Sequence, residues 1–161
     1  MPRIETETMI SAPIERVFDL ARSIDVHKES QSKHRERAVA GRTSGLIENG
    51  EIVTWEAVHF GIRQRLASQI VAMSRPGHFR DSMLTGAFTR IDHDHFFEAQ
   101  PDGRTLMRDV FDYSAPLGLL GRVADCLFLK AYMRRLLEAR NNVIKRLAEG
   151  EPDRAPAHRG T

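Results

Sequence analysis

The chain has little of several things, and each scarcity excludes something. Cysteine occurs once, at Cys126, so an internal disulfide and any cysteine-rich metal centre are ruled out. This usage suits a reducing compartment, and Cys126, beside Leu127 and Phe128, reads as an inert buried thiol. Charge of one sign is also scarce: 24 basic residues nearly balance 22 acidic ones, for a net charge of +2. Such a balance creates no demand for a polyanionic partner. No apolar run approaches the roughly 18 residues of a membrane span. The opening "MPRIETETMI" lacks the basic-then-apolar pattern of a secretion signal. The expectation is a cytoplasmic protein with no nucleic-acid partner and no stable membrane insertion, its oligomeric state left open. Local basic excesses, at Lys28, Lys33, Arg35, Arg37 and Arg42 and at Arg134, Arg135, Arg140, Lys145 and Arg146, read as solvated faces.

What is present is enough for one domain with a real core, expected over residues 1–149, with a disordered tail at 150–161. Ile4, Thr6, Thr8 and Ile10 alternate as a strand, and then Pro13 opens a helical pattern of Ile14, Val17, Phe18 and Ala21. Residues 25–36 read as a second short helix or loop. From Arg37 to Ser114, turn signals at 48–51, Gly61, 75–78, 85–87 and 101–103 separate about six strands in an antiparallel meander. After Pro116 a helical period runs from Leu117 to Leu147, predicting a helix of roughly 30 residues, about 45 Å long. The expected fold is α+β: a curved antiparallel sheet of about seven strands, a short helix pair after strand 1, and a long C-terminal helix across the concave face.

The segment "RIDHDHFFEAQPDGRTLMRDVFDY" carries the chemistry. Ile91, His93, His95, Phe97 and Ala99 share one face of a strand, so two imidazoles point where a core should be. Pro101-Asp102-Gly103 suits a three-residue hairpin loop. Counting outward from it pairs Ala99 with Thr105, Phe97 with Met107, His95 with Asp109 and His93 with Phe111. Tyr113 continues the same face. In the preceding strand, Phe79, Asp81 and Met83 alternate, and a turn that keeps odd residues inward sets Asp81 near His93. Trp55, Ala57 and His59 alternate toward the same interior. The predicted site is an apolar bowl with a polar stripe of His59, Asp81, His93, His95, Asp109 and Tyr113.

Four roles fit that stripe: satisfied structural pairs, recognition of a ligand's polar end, acid–base chemistry by His and Asp, and metal binding by His93 and His95 with His59 or Asp81. Each histidine is expected to have a carboxylate of its own, so no metal and no cofactor is expected. No phosphate-binding glycine loop and no nucleophile elbow is present.

Several local patterns resemble the SRPBCC superfamily (START-like, Bet v 1-like or polyketide cyclase/dehydrase-like), in particular its bacterial ligand-binding subgroup: an F-x-D strand, an H-x-H-x-F strand, an M-x-D-x-V-x-Y-type strand, and a P-x-G-x-L-G-x-x-A-D-x-L-F entry into the last helix. The matching residues are Phe79, Asp81, His93, His95, Phe97, Met107, Asp109, Tyr113, Pro116, Gly118, Gly121 and Asp125. Ile91 stands where that pattern tends to show Trp, and Phe111 where a smaller aliphatic is usual. The resemblance implies a helix-grip fold with a cavity for hydrophobic ligands such as lipids, polyketides, sterols or quinones, and no single chemistry. The resulting expectation is a binder, transporter or presenter of a small hydrophobic or amphipathic ligand, contacted by Trp55, His59, Asp81, His93, His95, Phe97, Met107, Asp109, Phe111 and Tyr113. The alternatives are a cyclase or dehydratase using His95, Asp109 and His93, and a regulatory interaction protein without a ligand. Pro116, Gly118 and Gly121 fit either of two roles, shaping a tight strand-to-helix corner or lining a gate at the cavity mouth that moves on ligand entry.

Overall fold

A computed structural model describes residues 2–115 and 128–150. Its order is β1 (Arg3–Ile10), α1 (Ile14–Ala21), α2 (Ile24–Ser30), a 3-10 turn (Ser32–His34), β2 (Arg37–Gly41), β3 (Ile52–His59), β4 (Ile62–Ser74), β5 (His78–Thr85), β6 (Arg90–Ala99), β7 (Thr105–Ser114) and α3 (Lys130–Glu149). The expected helix pair and six-strand meander are therefore present. The expected gate residues, Cys126, the first part of the predicted long helix and the tail from 151 onward lie outside the described residues. Within them α3 has 20 residues, and no described helix is long and apolar enough to cross a membrane.

The strands form one seven-stranded antiparallel sheet in the order β1-β7-β6-β5-β4-β3-β2. Hairpins link neighbours from β2 to β7, and β1 closes the far edge by pairing with β7. Ladder shifts leave Val39 in β2, Val71 in β4 and Leu84 in β5 as extra residues and mark bulges, which bend and twist the strands they interrupt. Three of the loop glycines, Gly50, Gly61 and Gly103, sit at φ near +80°, a conformation costly for other residues.

Helix α1 starts at Pro13 and buries Val17, Phe18 and Ala21. Ser23 caps α2 by accepting a hydrogen bond from the Val26 amide. Together with α3, these helices cover one face of the sheet. Helix α3 buries Leu137, Arg140, Asn141, Ile144 and Ala148, a stripe at helical spacing whose centre is polar. Arg140 thus corrects the expectation of a solvated basic face: it is 5% exposed and donates to the Ala21 carbonyl at 2.7 Å. Two buried clusters result. One gathers α1 with Trp55, Ile70, Phe79, Phe97, Met107 and Ile144; the other holds Ile4, Ile91, Phe111, Tyr113 and Leu137.

Candidate functional site

Between these clusters lies a cavity of about 380 Å³. Ile24, Ile47, Val53, Trp55, Leu66, Ile70, Phe79, Phe111 and Leu137 give it an apolar wall, interrupted by His59, Asp81, His93, His95 and Arg140. Its size falls within the ~300–1,000 Å³ usual for small-molecule sites, and a few convergent polar groups in an apolar wall are their usual composition.

The ladder register explains how the polar groups meet. His95 lies opposite Asp109 and His93 opposite Phe111, as the hairpin turn implied, and Asp81 lies opposite His93. The turn between β5 and β6 preserves the inward parity of odd residues. One expectation changes: the histidines do not have separate carboxylates. Asp109 Oδ1 accepts from His93 Nε2 at 3.0 Å and from His95 Nδ1 at 2.8 Å. His95 Nε2 then reaches Asp81 Oδ1 at 3.1 Å, whereas His93 Nδ1 stays 3.8 Å from that atom. The two imidazole centroids are 3.7 Å apart, and Phe79 stacks on His95 at 4.1 Å.

Asp109 is fully buried, and its other oxygen, Oδ2, accepts from Asn141 Nδ2 at 2.6 Å and Thr6 Oγ1 at 3.3 Å. The Arg140 guanidinium stands 3.5 Å from Oδ1. Burial opposes ionisation of Asp109, but the hydrogen bonds from His93 and His95 outweigh it and hold the carboxyl well below its usual range. Asp81 is likewise lowered, burial being overcome by the His95 hydrogen bond and by nearby positive charge. His95 thus sits between two carboxylates, its Nδ1 facing Asp109 and its Nε2 facing Asp81. Burial, and then the neighbouring His95, push His93 below the usual histidine range. His93 therefore stands neutral with Nε2–H on Asp109 and the Nδ1 lone pair on the Asp81 side.

Of the expected contact residues, Trp55, His59, Asp81, His93, His95 and Phe111 line the cavity. Phe97, Met107, Asp109 and Tyr113 stand behind its wall instead: Phe97 and Met107 pack against Phe18 and Phe79 in the larger cluster, and Tyr113 is fully buried in the smaller one. The strand face was read correctly, but the outermost layer of side chains on that face is covered by helices. His59 lines the same cavity away from the His93–His95 pair, with Nδ1 2.7 Å from the Tyr132 hydroxyl. Arg140 and Asn141 are the site residues missed in the sequence. Their signal was a polar pair between Leu137 and Ile144, on the stripe that helical spacing reserves for the core.

No protein-family model matches the sequence, and no curated protein does. Solved structures match the fold. A START superfamily protein from Mycobacterium smegmatis superposes with a TM-score of 0.68 at 12% identity, over 90% of this chain and 98% of that one. Ginseng major latex-like protein 151 from Panax ginseng gives 0.67 at 13%, over 92% and 98%. The Zhui aromatase/cyclase from Streptomyces sp. R1128 gives 0.72 at 14%, over 92% and 93%. The chain thus has the helix-grip fold of START-like, Bet v 1-like and aromatase/cyclase structures, as the motif resemblance implied.

Proposed function

We propose that the protein binds one small, largely apolar molecule carrying a hydroxyl or phenol end, as a cytoplasmic carrier or presenter. The observation behind this reading is the 380 Å³ cavity with a largely apolar surface, into whose wall Asp81, His93 and His95 bring one compact polar cluster. The polar end follows from the charges. Asp81, with 24% of its side chain exposed, is the most open member of the cluster, and His93 Nδ1 is an acceptor beside it. Both prefer a donor, and Asp81 repels an anion.

Calorimetric titration with 2-naphthol, naphthalene and 2-naphthoate tests the preference. Naphthol is expected to bind about tenfold tighter than naphthalene, the size of one hydrogen bond to a charged group, with naphthoate weakest. Asp81→Asn combined with His93→Phe should erase the difference. Equal affinity of all three probes for the wild type would end this reading.

A second reading rests on His93. A neutral imidazole held at Nε2 by a buried carboxylate suits a general base, and His93 is one of the residues that line the cavity. A cyclase or dehydratase of a carbonyl substrate would use His93 in this role, oriented by Asp109 with His95 as acid, in line with the aromatase/cyclase among the structural matches.

A further inference from the structure

We propose that Asp81, His93 and His95 form a site for one divalent first-row transition-metal ion, with Asp109 as the carboxylate that aims both histidines at it. The inference comes from the pairing of ring nitrogens. His93 turns Nε2 to Asp109 and Nδ1 toward Asp81, while His95 turns Nδ1 to Asp109 and Nε2 toward Asp81. The two rings use opposite nitrogens, yet both present the remaining one to the same carboxylate oxygen. Those three donor atoms lie within 4.8 Å of one another. Asp81 Oδ1 is 3.1 Å from His95 Nε2 and 3.8 Å from His93 Nδ1. Ligands about 2.0–2.2 Å from a tetrahedral ion stand roughly 3.3–3.6 Å from each other, so the two pairs that include Asp81 are within a few tenths of an ångström of that range, and the His93–His95 pair, within 4.8 Å, closes on the ion by a larger adjustment.

Asp109 supplies the support that such sites need. Histidine ligands ordinarily donate their other N–H to a carboxylate or carbonyl, which fixes tautomer and ring orientation. Here one fully buried carboxylate does this for both rings and is itself fixed by Asn141 and Thr6. The ion would take the place of the proton that His95 now donates to Asp81, so the metal-free cluster is a hydrogen-bonded precursor of the site. Two imidazoles with one carboxylate suit zinc, cobalt or iron and are a poor set for calcium or magnesium, which favour oxygen. Three protein ligands leave at least one position open. Asp81, His93 and His95 all line the cavity, so that position faces the bound molecule.

This inference does not depend on the hydroxyl preference proposed above, and its test uses no organic ligand. Full-length protein stripped with EDTA is titrated with ZnCl₂ by calorimetry and with CoCl₂ by visible absorption. One ion per chain is expected, and Co²⁺ should give the intense d–d bands of a site with fewer than six ligands. Asp81→Asn is isosteric and partly exposed, so the fold survives it; it should weaken Zn²⁺ at least tenfold. His93→Ala should abolish stoichiometric binding, and His59→Ala should leave it unchanged. Absence of saturable one-to-one binding in the wild type overturns the proposal. So does one-to-one binding that Asp81→Asn and His93→Ala, shown folded by circular dichroism, leave intact.

Discussion

Asp109 accepts hydrogen bonds from Thr6 of β1, His93 and His95 of β6 and Asn141 of α3, so one side chain of β7 ties together three other elements. Removing it leaves the Arg140 guanidinium without its nearest carboxylate and the groups of His93, His95 and Asn141 that face it without their acceptor. Asp109→Ala should therefore lose about 3–5 kcal/mol, measured by urea unfolding. His59 gives a pH prediction. Burial, and then the neighbouring His34, lower its pKa, while Glu36 opposes them and the Tyr132 hydroxyl faces its Nδ1. A folded-state pKa below the unfolded one means that the unfolded chain binds the extra proton. The stabilisation is present above the unfolded value, ~6.5, and is lost as pH falls through the folded one. Melting temperature should thus fall less between pH 8 and pH 5 in His59→Gln than in the wild type. At this scale the His95–Asp109 pair was legible because a hairpin turn fixes register. Arg140 and Asn141 were not, because the crossing of a helix over a sheet decides what its residues meet, and local periodicity carries no information about that crossing.

Among the elements, α3 is fastened to both α1 and β1. Near its C-terminus Arg16 of α1 donates from Nε to the Ala148 carbonyl at 2.9 Å and from Nη2 to Leu147 at 2.8 Å, satisfying carbonyls that the helix itself leaves without partners. Lys145 donates to the Met9 carbonyl at the end of β1. Arg16→Ala should cost about 1 kcal/mol, because a cation at the negative end of a helix and its hydrogen bonds are both lost. Urea unfolding measures it, with Arg16→Lys expected to recover part of the loss. Strand identity was readable from the alternation of residues and from turn signals at Gly50, Gly61 and Gly103, which adopt the positive φ that such turns require. The ladder shifts were not readable, since the inserted residues Val39, Val71 and Leu84 are ordinary strand residues that leave no distinctive mark in the sequence.

For the molecule as a whole, the central claim is that the space between the two clusters takes an organic guest. The order of elements implied a bowl under a helix, but its free volume depends on how far side chains such as Phe97 and Met107 fill it, and that follows only from packing. Trp55 gives a direct reporter: it is the single tryptophan of the chain, lines the cavity and is 7% exposed. Its indole N–H contributes one resonance to the ¹H–¹⁵N correlation spectrum, and a probe must enter the cavity to touch it. Titration with 2-naphthol should move that resonance saturably with one-to-one stoichiometry, and Ala57→Phe, which fills part of the cavity, should suppress the shift. An indole resonance that stays fixed while those of exposed residues outside the cavity, such as Ile62 and Val71, move would contradict the account.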